Sequence, residues 1–279
     1  MRARRYFWPQ LQTQRGYFAF HIPSLGGFLN RNPASSSSAE SCLSPAVSAD
    51  ELRYAYPDTG HSAVDGVSFS VASGETLVVA GPNGAGKTTL LMMAAGLIEG
   101  GGCAGIFGVR ASPASLPRYR RRLGFLFQNP DEQLFMPTVF DDVAFSLADD
   151  KLPPEDVGRR VSDALARAGF TASAATSPHN LSFGEKKRAA LAAALVTNPD
   201  ILILDEPTLG LDPPSKRDFI ALLGGIKASK LISTHDLELA GRLADKILFI
   251  ERGKSVFYGP SGEFFAGSLS SDFFGDPRP

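Results

Sequence analysis

Two hydrophobic rhythms run along the chain from Leu52 onward. Val67 to Val71 places apolar residues at alternate positions around polar ones, the period of a strand with one buried face. Thr76 to Ala80, Leu123 to Phe127, Ile201 to Leu204 and Leu231 to Ser233 are instead short, nearly continuous apolar runs. Strands of that kind are covered on both faces, as parallel strands between helices are. Helical spacing follows through Leu90, Leu91 and Ala94, and again through Val157, Val161, Leu165 and Ala168. The alternation predicts an α/β class fold with a layered core. An Ala-rich stretch from Thr138 to Pro178 reads as a helical lobe inserted at about residues 129–180, with Pro153-Pro154 breaking it between two helices.

The first 49 residues follow neither rhythm. Arg2, Arg4, Arg5, Arg15 and Arg31 face one acid, Glu40, and Ser35 to Ser38 form a serine run. This composition predicts a poorly ordered extension or a misassigned start, with an organelle transit peptide as the alternative. The domain is expected over residues 50–265 and a tail over 266–279. Phe257, Phe264, Phe265, Phe273 and Phe274 lie near that end, where they can pack locally or support a dimer contact.

The clearest chemistry lies after the run Thr76 to Ala80. Gly81-Pro82-Asn83-Gly84-Ala85-Gly86-Lys87-Thr88, followed by Thr89, fits G-x-x-x-x-G-K-[ST] between a predicted strand and a predicted helix. Glycines let backbone N–H groups close around phosphate oxygens, and the helix N-terminus adds positive potential. Lys87 reaches the β and γ phosphates, and the Thr88 hydroxyl ligates Mg²⁺. Ile201 to Leu204 ends in Asp205-Glu206, two carboxylates that strand alternation would point in different directions. Asp205 is placed to orient the metal and Glu206 to act as general base on a water attacking the γ-phosphate. Gln128 and His235 also follow apolar runs, so Gly81, Gln128, Asp205 and His235 could face one nucleotide beyond the carboxyl ends of the strands.

Composition narrows the choices. The chain has 279 residues, 43% of them hydrophobic, enough for one sizeable core. A net charge of −1 gives no field that would favour nucleic acid, so none is expected as a partner. Cys42 and Cys103 form neither a CxxC pair nor a His/Cys cluster, as in a reduced compartment. No apolar stretch approaches the roughly 20 residues of a membrane span, so a transport role would need separate membrane subunits. Arg118, Arg120, Arg121 and Arg122 read as a solvated basic surface, or else a contact for lipid headgroups or a partner.

These residues closely resemble the ATP-binding-cassette (ABC) ATPase family over about residues 50–260. The order matches: phosphate loop, Gln128 loop, the signature Leu181-Ser182-Phe183-Gly184-Glu185, Asp205-Glu206, the Gly210-Leu211-Asp212 turn, and Thr234-His235-Asp236. The resemblance implies a RecA-like P-loop NTPase core with an antiparallel β subdomain and the inserted helical lobe. It also implies ATP and Mg²⁺ as ligands, with Thr88, Gln128 and Asp205 at the metal and Lys87, Glu206, Gln128 and His235 in catalysis. Tyr56, with Tyr54 as rival, would stack on adenine. Ser182 and Gly184 would contact the γ-phosphate held by a second ATPase subunit, so that activity implies a dimer, a homodimer being sufficient. The signature departs from Leu-Ser-Gly-Gly-Gln at Phe183 and Glu185, yet Ser182-x-x-Glu185 is also a capping box, and a capped helix start suits an anion.

The stretch from Phe127 to Phe145 resembles the energy-coupling-factor subgroup, especially its cobalt and nickel importers, and the signature region does too. This implies a transmembrane coupling protein and a substrate-binding membrane protein as partners, with the ATPase peripheral on the cytoplasmic face of the plasma membrane. A groove beside the Gln128 loop would receive a helix of the coupling protein. Asp141 and Asp142 would contact that partner or form a solvated helix start. A vitamin importer, a soluble ABC ATPase without a membrane partner, and a weakly hydrolysing regulatory module are the competing readings.

Overall fold

The computed structural model describes residues 44–57, 60 and 62–267. The Arg- and Ser-rich segment up to residue 43, and Phe273 and Phe274, lie outside the described residues.

Four strands, β1 (Val47–Ala55), β2 (Ser62–Val71), β4 (Gly101–Ile106) and β5 (Val109–Arg110), form an antiparallel sheet in the order β2-β1-β4-β5. The sheet thus begins at Val47, three residues ahead of the expected boundary, because Ala46, Val47 and Ala49 are buried in the core. A second sheet runs β10-β9-β3-β8-β7-β6, from β3 (Thr76–Ala80), β6 (Leu123–Leu126), β7 (Ile201–Asp205), β8 (Ser229–Ser233), β9 (Lys246–Glu251) and β10 (Lys254–Pro260). All pairs in it are parallel except β9 with the edge strand β10.

Every residue of β3, β7 and β8 is buried. Consecutive residues serve opposite faces of the sheet. Val78, Ala80, Leu202 and Leu204 join one apolar cluster, whereas Leu77, Val79, Ile201 and Ile203 join the other. The second cluster fills the space between the parallel sheet, α1 (Lys87–Ala94) and the antiparallel sheet. Tyr119, on the short α2 (Leu116–Arg120), closes it by donating its hydroxyl to Ala94 O at 2.7 Å.

The first cluster lies under α3 (Val139–Phe145), α4 (Pro154–Arg167), α5 (Phe183–Leu195), α6 (Pro213–Gly225), α7 (Leu237–Leu243) and α8 (Ser261–Ala266). Pro153-Pro154 does separate two helices, Pro154 occupying the first turn of α4, where its missing N–H is harmless. Val161, Ala164 and Leu165 give that helix its buried stripe. Phe264 on α8 is 1% exposed and meets the rings of Phe249, Phe257 and Phe265, so the described phenylalanines of this end pack locally.

The basic cluster is only partly a solvated surface. Arg122 pairs with Asp200 at 2.7 Å and lies 3.7 Å from the Phe107 ring centroid, which ties it into the fold, while Arg118, Arg120 and Arg121 are exposed.

Asp141 and Asp142 both make local bonds at the start of α3, Asp141 half-buried and Asp142 closed off from solvent. Thr138 caps α3 by accepting Asp141 N–H and donates its hydroxyl to the Asp141 carboxylate at 2.6 Å. Asp142 is 4% exposed. Its Oδ1 accepts the N–H groups of Phe135 and Met136, both at 2.9 Å, while Oδ2 is buried without a hydrogen-bond partner among the described residues. Burial raises this carboxyl from 3.8 to about 6, against the lowering effect of the two N–H donors. A carboxyl whose folded-state value lies above its unfolded one favours folding while protonated. That contribution is present below the unfolded value and is lost as pH rises through about 6. The stability difference between wild type and Asp142→Asn, from urea titrations at stepped pH, should therefore move against the wild type between about pH 4 and 6 and stay level above that. A flat difference would contradict the assigned burial.

Candidate functional site

The carboxyl ends of β3, β6, β7 and β8 lie side by side, because the parallel register sets Val79 beside Ser233 and Ser233 beside Asp205. From these ends project the loop Gly81 to Gly86, Gln128, Asp205-Glu206 and Thr234-His235. A cavity of about 470 Å³ opens there, lined by Tyr56, Asn83, Gly84, Gly86, Lys87, Thr88, Thr89, Gln128 and Glu206, with Ala63 at its wall. Of the residues expected at the nucleotide, most are thus brought together.

The loop has no room for side chains at its tight points. Gly86, with φ 101°, precedes α1, and a Cβ there would come within 1.9 Å of Ala63 O. Gly81 meets Ile250 O in the same way at 2.1 Å. The Lys87 ammonium reaches back over the loop to Gly81 O at 2.8 Å and Pro82 O at 3.1 Å. Burial lowers its pKa, while Glu206 and Asp205 act to raise it. Tyr56 is 44% exposed on the cavity, its hydroxyl 3.0 Å from Thr89 Oγ1, whereas Tyr54 packs edge-on to it and against the inner core. That placement favours Tyr56 over Tyr54 as the ring open to a base.

Asp205 is buried at the base of the site. It accepts Thr88 Oγ1 on Oδ2 at 2.8 Å and Ser233 Oγ on Oδ1. Burial raises its pKa and these two hydroxyls hold it down. Thr88, Asp205 and the nearby Gln128 offer hard oxygen donors, the set that suits Mg²⁺.

Glu206 departs from the strand geometry expected of it. The strand ends at Asp205, and Glu206 turns into the left-handed region with φ 44°. Its N–H donates to Ser233 O at 3.1 Å and Ser233 Oγ at 3.0 Å. This twist, rather than strand alternation, separates the two carboxylates. The Glu206 carboxylate lies 3.9 Å from Lys87 Nζ and 2.9 Å from His235 Nδ1, and weakly accepts His235 N–H at 3.4 Å. His235 is half exposed and lines a second hollow of about 330 Å³ with Thr208, Leu209, Gly210, Lys216 and Asp236.

Ser182 and Gly184 do not line the phosphate-loop cavity. Ser182 caps α5 in a reciprocal capping box: Ser182 Oγ accepts Glu185 N–H at 3.4 Å, and the Glu185 carboxylate accepts Ser182 N–H at 2.8 Å and the hydroxyl at 2.6 Å. These bonds lower the Glu185 pKa. The partly exposed Phe183 ring lies against Gly210, where a Cβ would come within 2.7 Å of Cε1.

Two functional positions escaped the sequence reading. Ser233 ends a strand run and holds both Asp205 and Glu206, and a hydroxyl at the end of an apolar run, two residues before His235, was its only signal. Lys187, on α5, is wholly buried and donates to Gln128 O at 2.6 Å and Glu206 O at 3.3 Å. Burial lowers it to about 8, opposed by Asp205 and Glu206. A lysine beside the run Ala189 to Leu195 was the available signal. Lys186 and Gln133 make neighbouring ties between α5 and the Gln128 loop, at 2.7 Å to Asp131 and 3.0 Å to Ala190 O.

A strand–glycine loop–helix cradle with Lys87 at its centre, and a buried Asp-Glu pair at the end of β7, across β8 from the cradle's strand, define a P-loop ATPase. The ABC transporter family profile matches residues 64–209. Among curated proteins, the energy-coupling factor transporter ATP-binding protein EcfA of Methanothermobacter thermautotrophicus is 39% identical over 221 residues, 77% of this chain and 71% of that one. The nickel import ATP-binding protein NikO of Rhodobacter capsulatus is 38% identical over 237 residues, 80% of this chain and 92% of that one. Among solved structures, CbiO1 of Clostridium perfringens, described as part of the ABC transporter complex CbiONQ, superposes with a TM-score of 0.72 at 34% identity, covering 81% of this chain and 92% of that one. A dimeric ATP-binding cassette, MJ0796, bound to ADP and Pi superposes with a TM-score of 0.70 at 25% identity, covering 77% and 98%. The chain belongs to the ABC transporter family, as one of its ATP-binding, ATP-hydrolysing cassettes.

Replacing Gly86 by Ala drives a Cβ into the Ala63 carbonyl and should open the loop. Fluorescent nucleotide titration should show at least about a 10-fold loss of affinity, roughly 1.4 kcal/mol. Wild-type affinity would mean that the loop does not hold the phosphates.

Proposed function

We propose that this cassette energises an importer of the energy-coupling-factor kind that carries nickel or cobalt ions, working as a dimer at the cytoplasmic face of the plasma membrane. The observation that carries the hydrolytic part is that the Glu206 carboxylate, which lines the phosphate-loop cavity, is met by Lys87 Nζ from one side and by His235 Nδ1 from the adjoining hollow. Backbone N–H groups of the phosphate loop, in which Pro82 has none to offer, and the Lys87 ammonium hold the β and γ phosphates, and Tyr56 stacks on the adenine. Thr88, Asp205 and Gln128 hold Mg²⁺, which when bound offsets the negative charge of the phosphate oxygens. The Glu206 carboxylate takes the proton of the water that attacks the γ-phosphorus. An ionised carboxylate only accepts hydrogen bonds, so His235 Nδ1–H donates to it, which fixes the tautomer and leaves Nε2 free to accept.

A second copy is part of the reading. Ser182 and Gly184 stand at the start of a 13-residue helix away from this chain's own cavity, which supports their use on a nucleotide held by the facing subunit. In this reading the ion passes through other chains, a transmembrane coupling protein and a substrate-binding membrane protein; no described helix is long and apolar enough to cross a membrane. The choice of nickel or cobalt rests on the likeness to the nickel and CbiO relatives.

Glu206→Gln removes the base while keeping the residue's shape. Steady-state phosphate release should fall by at least about 100-fold with nucleotide binding retained, and the variant should elute as a nucleotide-bound dimer in size-exclusion chromatography. Turnover at the wild-type rate would reject the assigned base. Tagged protein from gently solubilised cells should carry polytopic membrane proteins at near-stoichiometric amounts. Recovery of soluble partners alone would reject the transport reading while leaving the ATPase intact.

A further inference from the structure

Lys187 is the one fully buried cation among the described residues. It lies one turn into α5, and among the described residues no carboxylate lies within 4 Å of its nitrogen, which bonds to two carbonyls instead. Its two hydrogen bonds go to backbone carbonyls of separate loops, Gln128 O at 2.6 Å and Glu206 O at 3.3 Å. Burying an ammonium is unfavourable unless hydrogen bonds compensate, so the position is occupied for what these bonds hold.

What they hold is the residue whose backbone is most unusual in the site. Glu206 has φ 44°, a conformation that side chains disfavour and that surrounding contacts must impose. Its N–H is fixed by Ser233 and its C=O by Lys187, so both flanking peptides are pinned. With the backbone so fixed, the carboxylate reaches His235 Nδ1 at 2.9 Å and Lys87 Nζ at 3.9 Å. The same ammonium holds the Gln128 carbonyl, and the Phe183 ring lies over it at 5.7 Å, seated against Gly210.

We propose that Lys187 is a positioning residue for ATP hydrolysis, joining the Gln128 loop to the Glu206 backbone and so setting where the Glu206 carboxylate stands. The inference rests on the reading of Glu206 as general base. Lys187 touches neither nucleotide nor attacking water; it acts through Glu206. Its loss should move the base without emptying the phosphate site, a displacement of the kind that lowers rate far more than binding.

Lys187→Met in the full-length chain, assayed beside Glu206→Gln, tests this. We expect kcat to fall about 10- to 100-fold, with KM for MgATP and fluorescent-nucleotide affinity changed by less than about 2-fold. In single turnover, the double variant should be no slower than Glu206→Gln alone, because both changes act on the same carboxylate. Wild-type kcat in Lys187→Met, or a loss of nucleotide affinity as large as the loss of kcat, would overturn the inference. Should the Met variant fail to fold, Lys187→Gln, which keeps an amide donor on a shorter chain, is read by the same split. If Glu206→Gln itself turns over normally, the base assignment has failed; if only Lys187→Met does, the assignment stands and the tie from Lys187 has no catalytic part.

Discussion

The buried Asp205 carboxylate is where the parallel sheet and the phosphate loop are locked together. One oxygen takes the Thr88 hydroxyl from the start of α1 and the other takes Ser233 from the end of β8. A carboxylate so enclosed is unfavourable unless its oxygens are bonded, so the three elements can close only in the register that brings both hydroxyls to it. That register sets the level of every loop above. Ser233 then has an oxygen and a carbonyl turned to Glu206 N–H, and the next peptide, Thr234 N–H, bonds Val79 O just below the phosphate loop. The electrostatics of the site follow from the same burial: Lys87 and Lys187 lose some preference for charge in it, and Asp205 and Glu206 restore part of that preference.

The strands that carry the site were readable because both of their faces are covered. Ile201 to Leu204 and Leu231 to Ser233 have no polar face to show, so short apolar runs announced them. Of the antiparallel sheet, β2 showed its alternation from Val67 to Val71, whereas β1 and β4 hid for the opposite reason. In β1 the residue Glu51 sits at φ 50° and the pairing shifts between Ala49 and Leu52, which breaks the alternation. Its partner β4 opens with Gly101 and Gly102, and a Cβ on Gly102 would lie 2.3 Å from Glu51 O, so close approach of two backbones stands in place of a side-chain pattern.

The motif residues of the site were legible because phosphate, metal and water each require a residue type at a fixed spacing along one loop or strand end. What could not be read were contacts between distant segments. Asp142 looked like one of two exposed acids at a helix start, yet it caps the backbone of Phe135 and Met136 from inside the lobe. Lys187 looked like the second of two adjacent lysines beside an alanine-rich stretch. Only the packing of α5 against β6 and the Gln128 loop separates it from Lys186, which reaches outward to Asp131.

Phe183 shows how a departure from a motif can be absorbed. A large ring at the first position of α5 would crowd an approaching phosphate if it pointed along the helix axis. Here it folds back against Gly210, and the fit depends on that glycine, which at φ 80° has neither a Cβ nor a conformational preference to defend. The Ser182 cap and Gly184 are left on the outer face, with Leu211 Cδ2 3.7 Å from where a Gly184 Cβ would stand. The signature loop and the turn after Glu206 are therefore packed together through this aromatic contact as well as through the Lys187 bond to Glu206 O. Because Lys187 lies beneath that ring and holds the Glu206 carbonyl, a facing subunit pressing on the signature helix would bear on the backbone of the glutamate as well.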